Sequence, residues 1–203
     1  MLLHGYRRCS ATWRVQIALA LKGLDTAVMA LHATLPAAGR PLAAQSGPLL
    51  EVPGGPALSQ SLAILEWLEE MWPTPALLPP NPATRARVRA FALAIASDVE
   101  PLHSRRVLDR LRSTGASEGE TQSWARQAIS EGLEACEAML DDGDGPFCFG
   151  ASPGMADICL VPQLHEARRF GVALGFPRLL AAEAASLTLP AFHETRPDVN
   201  HAP

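Results

Sequence analysis

WPTPALLPPNP, residues 72–82, places five prolines in eleven positions: Pro73, Pro75, Pro79, Pro80 and Pro82. Each lacks a backbone N–H and fixes φ, so the run is neither helix interior nor central strand. It reads as a linker, and the patterning differs on its two sides. Upstream, residues 2–5 are a short apolar start. Thr12 is placed to cap a helix over 13–22, with Val15, Ala18, Leu19 and Lys22 on one face and Gly23 as its stop. Residues 26–31 form a β-like run, and 33–47, rich in Ala, Pro and Gly, form an irregular connection. Residues 48–52 and 56–59 read as strands around Gly54-Gly55, and Ser61 is placed to cap a helix over 62–71 that turns Ile64, Leu65 and Leu68 inward. The order β-α-β, loop, β-β, α describes a small mixed sheet with helices on its faces.

Downstream the pattern is helical, over 83–112, 120–140, 155–170 and 177–187, with DDGDGP (141–146) separating the second and third segments. Gly154 with Asp157 three residues on supplies half of a capping box, and the tail PDVNHAP (197–203) reads as loose. The expected organisation is α/β then all-α: a domain over 1–75, a linker over 76–82 and a helical domain over 83–203.

Composition narrows the function classes. The chain has 203 residues, 48% hydrophobic and 19% charged, enough apolar material for one large or two small cores. No apolar run approaches the roughly 20 residues of a membrane span. The start, MLLHGYRRCSATW, places arginines after a very short apolar patch, the reverse of a secretory signal. A net charge of −4 without Lys/Arg blocks argues against nucleic-acid binding. The 17 basic residues are 16 arginines and one lysine, Lys22. Cys9, Cys136, Cys148 and Cys159 form no CxxC pair and no metal-ligand spacing with histidine. A reduced, cytoplasmic protein without metal is expected, with Cys136 and Cys159 as buried inert thiols.

Three junctions offer chemistry. In Arg8-Cys9-Ser10-Ala11-Thr12, thiol and hydroxyl groups stand beside an arginine at a helix start, a favourable place for a thiolate or other anion. The alternative is ordinary capping by Thr12 beside solvated arginines. Gly47-Pro48 opens a strand; a cis bond there exposes backbone groups to an extended peptide, whereas a trans bond is an ordinary edge proline. Gln60-Ser61 stands at a strand-to-helix junction suited to a carboxylate, or serves only as a cap.

Together the junctions describe a thioredoxin-like unit followed by helices. Here the sequence resembles the glutathione S-transferase superfamily, and within it the zeta class. The resemblance is carried in order by Arg8-Cys9-Ser10-Ala11-Thr12-Trp13 and the helix after it, by Gln60-Ser61-Leu62-Ala63-Ile64-Leu65-Glu66-Trp67, and by Pro73-Thr74-Pro75-Ala76-Leu77-Leu78-Pro79. It continues through Met155-Ala156-Asp157-Ile158-Cys159-Leu160-Val161-Pro162-Gln163 and Ala167-Arg168-Arg169-Phe170. It covers nearly the whole chain.

The resemblance implies a dimeric, glutathione-dependent cis–trans isomerase of maleylacetoacetate or maleylpyruvate, serving aromatic catabolism by thiolate addition, bond rotation and elimination. The family reads Arg-Ser-Ser-Cys-Ser-Trp where this chain has Arg8 to Trp13. Cys9 therefore takes the place of the serine that supports the thiolate, Ser10 that of the second, and Ala11 that of the cysteine. Arg8, Cys9 and Ser10 are the implied catalytic group. Gly47, Pro48, Gln60 and Ser61 are implied to hold glutathione, with His103 and Ser104 approaching it, where relatives carry Gln or Asn. Arg8, Arg105 and Arg169 are implied to bind substrate carboxylates; Arg106 is an alternative to Arg105, and Arg168 is expected to face solvent. Tyr6, the one tyrosine, aligns with a packing aromatic. Cys9 raises a rival: a cysteine-type transferase, lyase or reductive dehalogenase using that thiol covalently. A non-catalytic partner module of the same fold is the third reading, disfavoured by the retained Gln60-Ser61 and Arg8 loop.

Overall fold

Leu2–Gly5 (β1) alternates, burying Leu3 and Gly5 on one face. In the computed structural model, which describes residues 1–6, 8–30, 47–141 and 145–197, β1 runs parallel to Ala27–Ala30 (β2) and antiparallel to Leu49–Glu51 (β3). The latter runs antiparallel to Leu58–Ser59 (β4), giving the sheet order β2-β1-β3-β4. Ser10–Leu21 (α1) and Ser61–Met71 (α2) pack together, and Leu3, Val15, Ile17, Leu50, Ile64, Leu65 and Leu68 are fully buried.

Helix α1 begins earlier than the sequence reading placed it. Cys9 is its N-cap residue, and Thr12 is a buried helical residue instead of the cap. The cause is close packing against β1: a Cβ on Gly5 would lie 2.2 Å from Thr12 Cγ2. The helix stops as expected at Gly23, whose φ of +64° suits glycine. Gly23 N–H donates to the Ala20 carbonyl and Leu24 N–H to that of Leu19, closing a Schellman turn. In α2, likewise, Gln60 is the N-cap residue and Ser61 lies inside the helix. The expected irregular connection 33–47 lies outside the described residues except for Gly47.

The cis peptide bond among the described residues is Thr74–Pro75; Gly47–Pro48 is not cis. The proline run ends at Asn81, whose side chain accepts from Ala83 N and Thr84 N to start Pro82–Leu93 (α3). The single helix expected over 83–112 is broken. After α3 come a π-helical turn, Ala94–Val99, a 3₁₀ segment, Glu100–His103, and then Arg105–Ser113 (α4). Pro101 is the physical reason, because it has no N–H to continue the ladder. Glu118–Met139 (α5) starts two residues before the sequence reading, on a Ser117–Glu120 capping box.

Met155–Arg169 (α6) is nearly wholly buried up to Ala167. Asp157, 2% exposed, accepts from the N–H groups of Gly154 and Cys148, both at 2.9 Å, and so anchors the start of α6 to the preceding loop. Burial pushes its carboxyl pKa up, against the pull of those two donors. Pro177–Ser186 (α7), expected over 177–187, and the short Pro190–His193 (α8), which the sequence reading lacked, complete the order.

The chain divides into two compact units. The first is Met1–Leu77 with Leu187–Pro203, and the second is Leu78–Ser186. In the first, α8 packs on α1 and Trp13 Nε1 donates to Thr195 Oγ1 at 2.9 Å. Of the tail expected to be loose, 198–203 lies outside the described residues.

Candidate functional site

Sheet topology collects three junctions at one end of the first unit. Because β1 and β4 are both antiparallel to β3, they run in the same direction. The chain leaves β1 for α1 and β4 for α2 at that end, and Gly47-Pro48 enters β3 there. Register pairs His4 with Leu49 and Leu49 with Ser59, so Gly5, Pro48 and Gln60 form the next row.

Two helix N-termini open at this end, and neither has a side-chain cap. At α1, Arg8 is exposed, Cys9 half-buried and Ser10 8% exposed, while the Cys9 backbone is tied by Cys9 N to Tyr6 O at 3.2 Å and by Trp13 N to Cys9 O at 3.0 Å. At α2, Gln60 has φ 72° and is the one non-glycine residue with positive φ among the described residues. Such backbone costs about 1–3 kcal/mol and persists where the surroundings enforce it. Ser61, 5% exposed, follows directly. An uncapped helix end presents unsatisfied N–H groups and the positive end of the dipole, so each terminus can hold an anion.

The second unit holds the remaining candidates. Arg169 lies in the last turn of α6, with its side chain 45% exposed and Nη1 2.6 Å from Glu166 Oε1. Gly171, at φ +71°, closes that helix: its N–H donates to Arg168 O and that of Val172 to Ala167 O, fixing where Arg169 projects. Arg168 does not simply face solvent. Its two terminal nitrogens grip both oxygens of the buried Glu183, joining α6 to α7. The side chain of Arg105 is 95% exposed and pairs with Asp109 at 3.5 Å.

His103 is 7% exposed, with Nε2 3.3 Å from Gln163 Nε2 and its ring edge-on to Phe170 at 5.5 Å. Burial pushes its pKa below the ordinary value. Ser104 Oγ donates to Pro101 O at 2.7 Å. Cys136, Cys148 and Cys159 are buried; burial pushes the Cys136 thiol up to about 12 and Cys148 well above its usual value, which leaves both inert as nucleophiles.

Residues 8–71 match the glutathione S-transferase N-terminal domain model, and residues 82–182 match the C-terminal domain model. The chain belongs to the glutathione S-transferase family. Maleylpyruvate isomerase of a Ralstonia species is 42% identical over 206 residues, covering 97% of each chain. The holo structure of a zeta-class bacterial maleyl pyruvate isomerase superposes with a TM-score of 0.92 at 39% identity over 98% of both chains. Maleylacetoacetate isomerase of Anaeromyxobacter dehalogenans 2CP-1, solved with dicarboxyethyl glutathione and citrate in its active site, gives a TM-score of 0.87 at 40% identity. That match covers 100% of this chain and 93% of that one.

Two features of this transferase were missed in its sequence. The Glu166–Arg169 pair has the i,i+3 spacing at which helical side chains meet, and that spacing was the available signal. The positive φ of Gln60 left none, because glutamine carries no turn signature.

Proposed function

We propose that this protein is a glutathione-dependent cis–trans isomerase of a maleyl-type diacid, maleylpyruvate or maleylacetoacetate. The observation that carries the reading is the pair of uncapped helix N-termini at one end of the sheet, with Gln60 held at positive φ beside the second. Relatives named for this activity, aligned over nearly the full chain, support it.

Glutathione fits this end of the first unit. Ser10 and Cys9, with the N–H groups of the first turn of α1, would hold its thiolate, and Gln60 and Ser61 at α2 would hold its γ-glutamyl carboxylate. Gly47-Pro48 would pair with its backbone. When bound, glutathione supplies a thiolate that adds to the cis double bond and leaves after the bond has rotated. The α1 dipole and Arg8 would favour the thiolate of bound glutathione over its thiol. Arg8 would stabilise the negative charge that develops on the substrate carbonyl oxygen; on the second unit, the resemblance assigns Arg169 to a substrate carboxylate. The contacts of His103 and Ser104 with glutathione, and of Arg105 with substrate, rest on the resemblance alone. The same proposal takes the first unit as the glutathione-binding one, the second unit as the substrate-side one in place of the whole of 83–203, and a cytoplasmic homodimer as the working form. Among the described residues no helix is long and apolar enough to cross a membrane.

Cys9→Ser tests the role of the thiol. A hydroxyl at the α1 N-cap donates to a thiolate at least as well as a thiol does, so this variant is expected to keep or exceed wild-type isomerisation of maleylpyruvate. Loss of activity together with a Cys9–glutathione adduct in the mass spectrum of the wild type would instead establish covalent chemistry at Cys9.

A further inference from the structure

Arg169 does not wait for an anion with its charge unmatched. Its Nη1 lies 2.6 Å from Glu166 Oε1, and the other guanidinium nitrogens take no partner among the described residues. Exposure is unequal within the pair: the Glu166 side chain is 12% exposed and that of Arg169 45%. The acid is therefore packed behind the base, and the open edge of the guanidinium is the part an incoming carboxylate can reach. Around the acid stand Gln163, 0% exposed, and His103, 7% exposed, whose pKa Glu166 raises against the larger lowering by burial.

Glu166 can do two things to a carboxylate on that open edge. It holds the guanidinium in one position, which favours binding by sparing side-chain entropy. It also sets a second negative charge across the same guanidinium, closer than the ~8 Å Debye length at physiological ionic strength, so solvent ions screen little of the repulsion. Positioning does not need the charge, because a glutamine amide oxygen also accepts from Nη1, though less strongly than a carboxylate. What the glutamate's charge adds for an incoming diacid is repulsion.

We propose that Glu166 sets how tightly the anion site holds a diacid. Its carboxylate competes internally for Arg169 and loosens the site's hold on diacids. Substrate and product of the isomerisation are both diacids, so this competition keeps KM up and lets the product leave. The inference rests on the assignment of Arg169 to a substrate carboxylate.

Succinate is a suitable probe, a four-carbon diacid with no double bond to react. Calorimetric titration of succinate into the glutathione-saturated full chain is compared for wild type, Glu166→Gln, Arg169→Ala and the double variant. The expected result is that Glu166→Gln tightens succinate by about 3- to 10-fold, a difference of up to about 1.4 kcal/mol. Arg169→Ala is expected to weaken binding, and the Glu166→Gln gain to vanish in its background. KM for maleylpyruvate should fall in Glu166→Gln in parallel with the succinate Kd. If Arg169→Ala weakens succinate but Glu166→Gln leaves it unchanged or weaker, Glu166 only positions the arginine and the inference is overturned by itself. If Arg169→Ala leaves succinate binding unchanged, the assignment of Arg169 fails, and the inference fails with it.

Discussion

Arg169→Ala is expected to raise KM for a maleyl-type diacid about tenfold or more while leaving kcat within a few-fold of wild type. A charge-assisted Arg–carboxylate contact contributes about 1.5–3 kcal/mol, or roughly 10- to 150-fold in an equilibrium constant. Nearly half of this side chain is exposed, so screening places the effect toward the lower end of that range. Arg169 is assigned the carboxylate remote from the reacting double bond, which is bound equally in ground and transition states, so KM moves and kcat does not. Steady-state rates on maleylpyruvate at saturating glutathione measure this. Arg168→Ala is the control, because that arginine is committed to Glu183 and its loss should lower thermal stability with KM unchanged. Equal KM effects from the two substitutions would remove Arg169 from the substrate site.

Lys22→Met is expected to destabilise the first unit by about 3–5 kcal/mol, the usual cost of leaving a buried ion without its partner. The Lys22 side chain is fully buried, and its ammonium donates to Glu69 Oε2 at 3.1 Å, to Pro75 O at 2.9 Å and to Trp72 O. Glu69 Oε2 also accepts from Leu77 N at 2.8 Å, so one ion pair ties the end of α1, the end of α2 and the start of the proline run. Three acceptors around one point match three ammonium donors, which a planar guanidinium cannot reproduce. That geometry accounts for the one lysine in a chain whose other basic residues are all arginine, and it makes Lys22→Arg costly too. Thermal unfolding should show a fall in Tm on the order of 10 °C for Lys22→Met, with part of it recovered when Glu69→Gln is added. A shift of only a degree or two would mean that Glu69 finds another partner at little cost.

Lys22 also shows what the sequence makes legible. Its place on the inward face of α1 could be read from spacing, whereas its three acceptors, the Glu69 carboxylate and two backbone carbonyls, lie about fifty residues away. Helix α2 could be read because Ile64, Leu65 and Leu68 repeat at helical spacing, and α6 because Gly154 and Asp157 mark its start. The start of α1 could not, because Thr12 has the chemistry of a cap and only its packing against Gly5 turns it into a buried helical residue. The break between α3 and α4 was available in Pro101 but hidden by the helical pattern on both sides. At the candidate site, the junctions at Arg8–Ser10, Gly47-Pro48 and Gln60-Ser61 were visible as strand–helix boundaries, and sheet direction is what gathers them at one end. His103 could not be judged from sequence, since its burial against Gln163 and Phe170 depends on how α6 packs over the 3₁₀ segment.

On the proposed function, the first unit serves chemistry by holding glutathione. Isomerisation of maleylpyruvate, followed spectroscopically with and without glutathione on the wild-type protein, tests it most directly. Turnover that requires glutathione and saturates with it is the expected result. Equal turnover without glutathione, or none in its presence, would contradict the account.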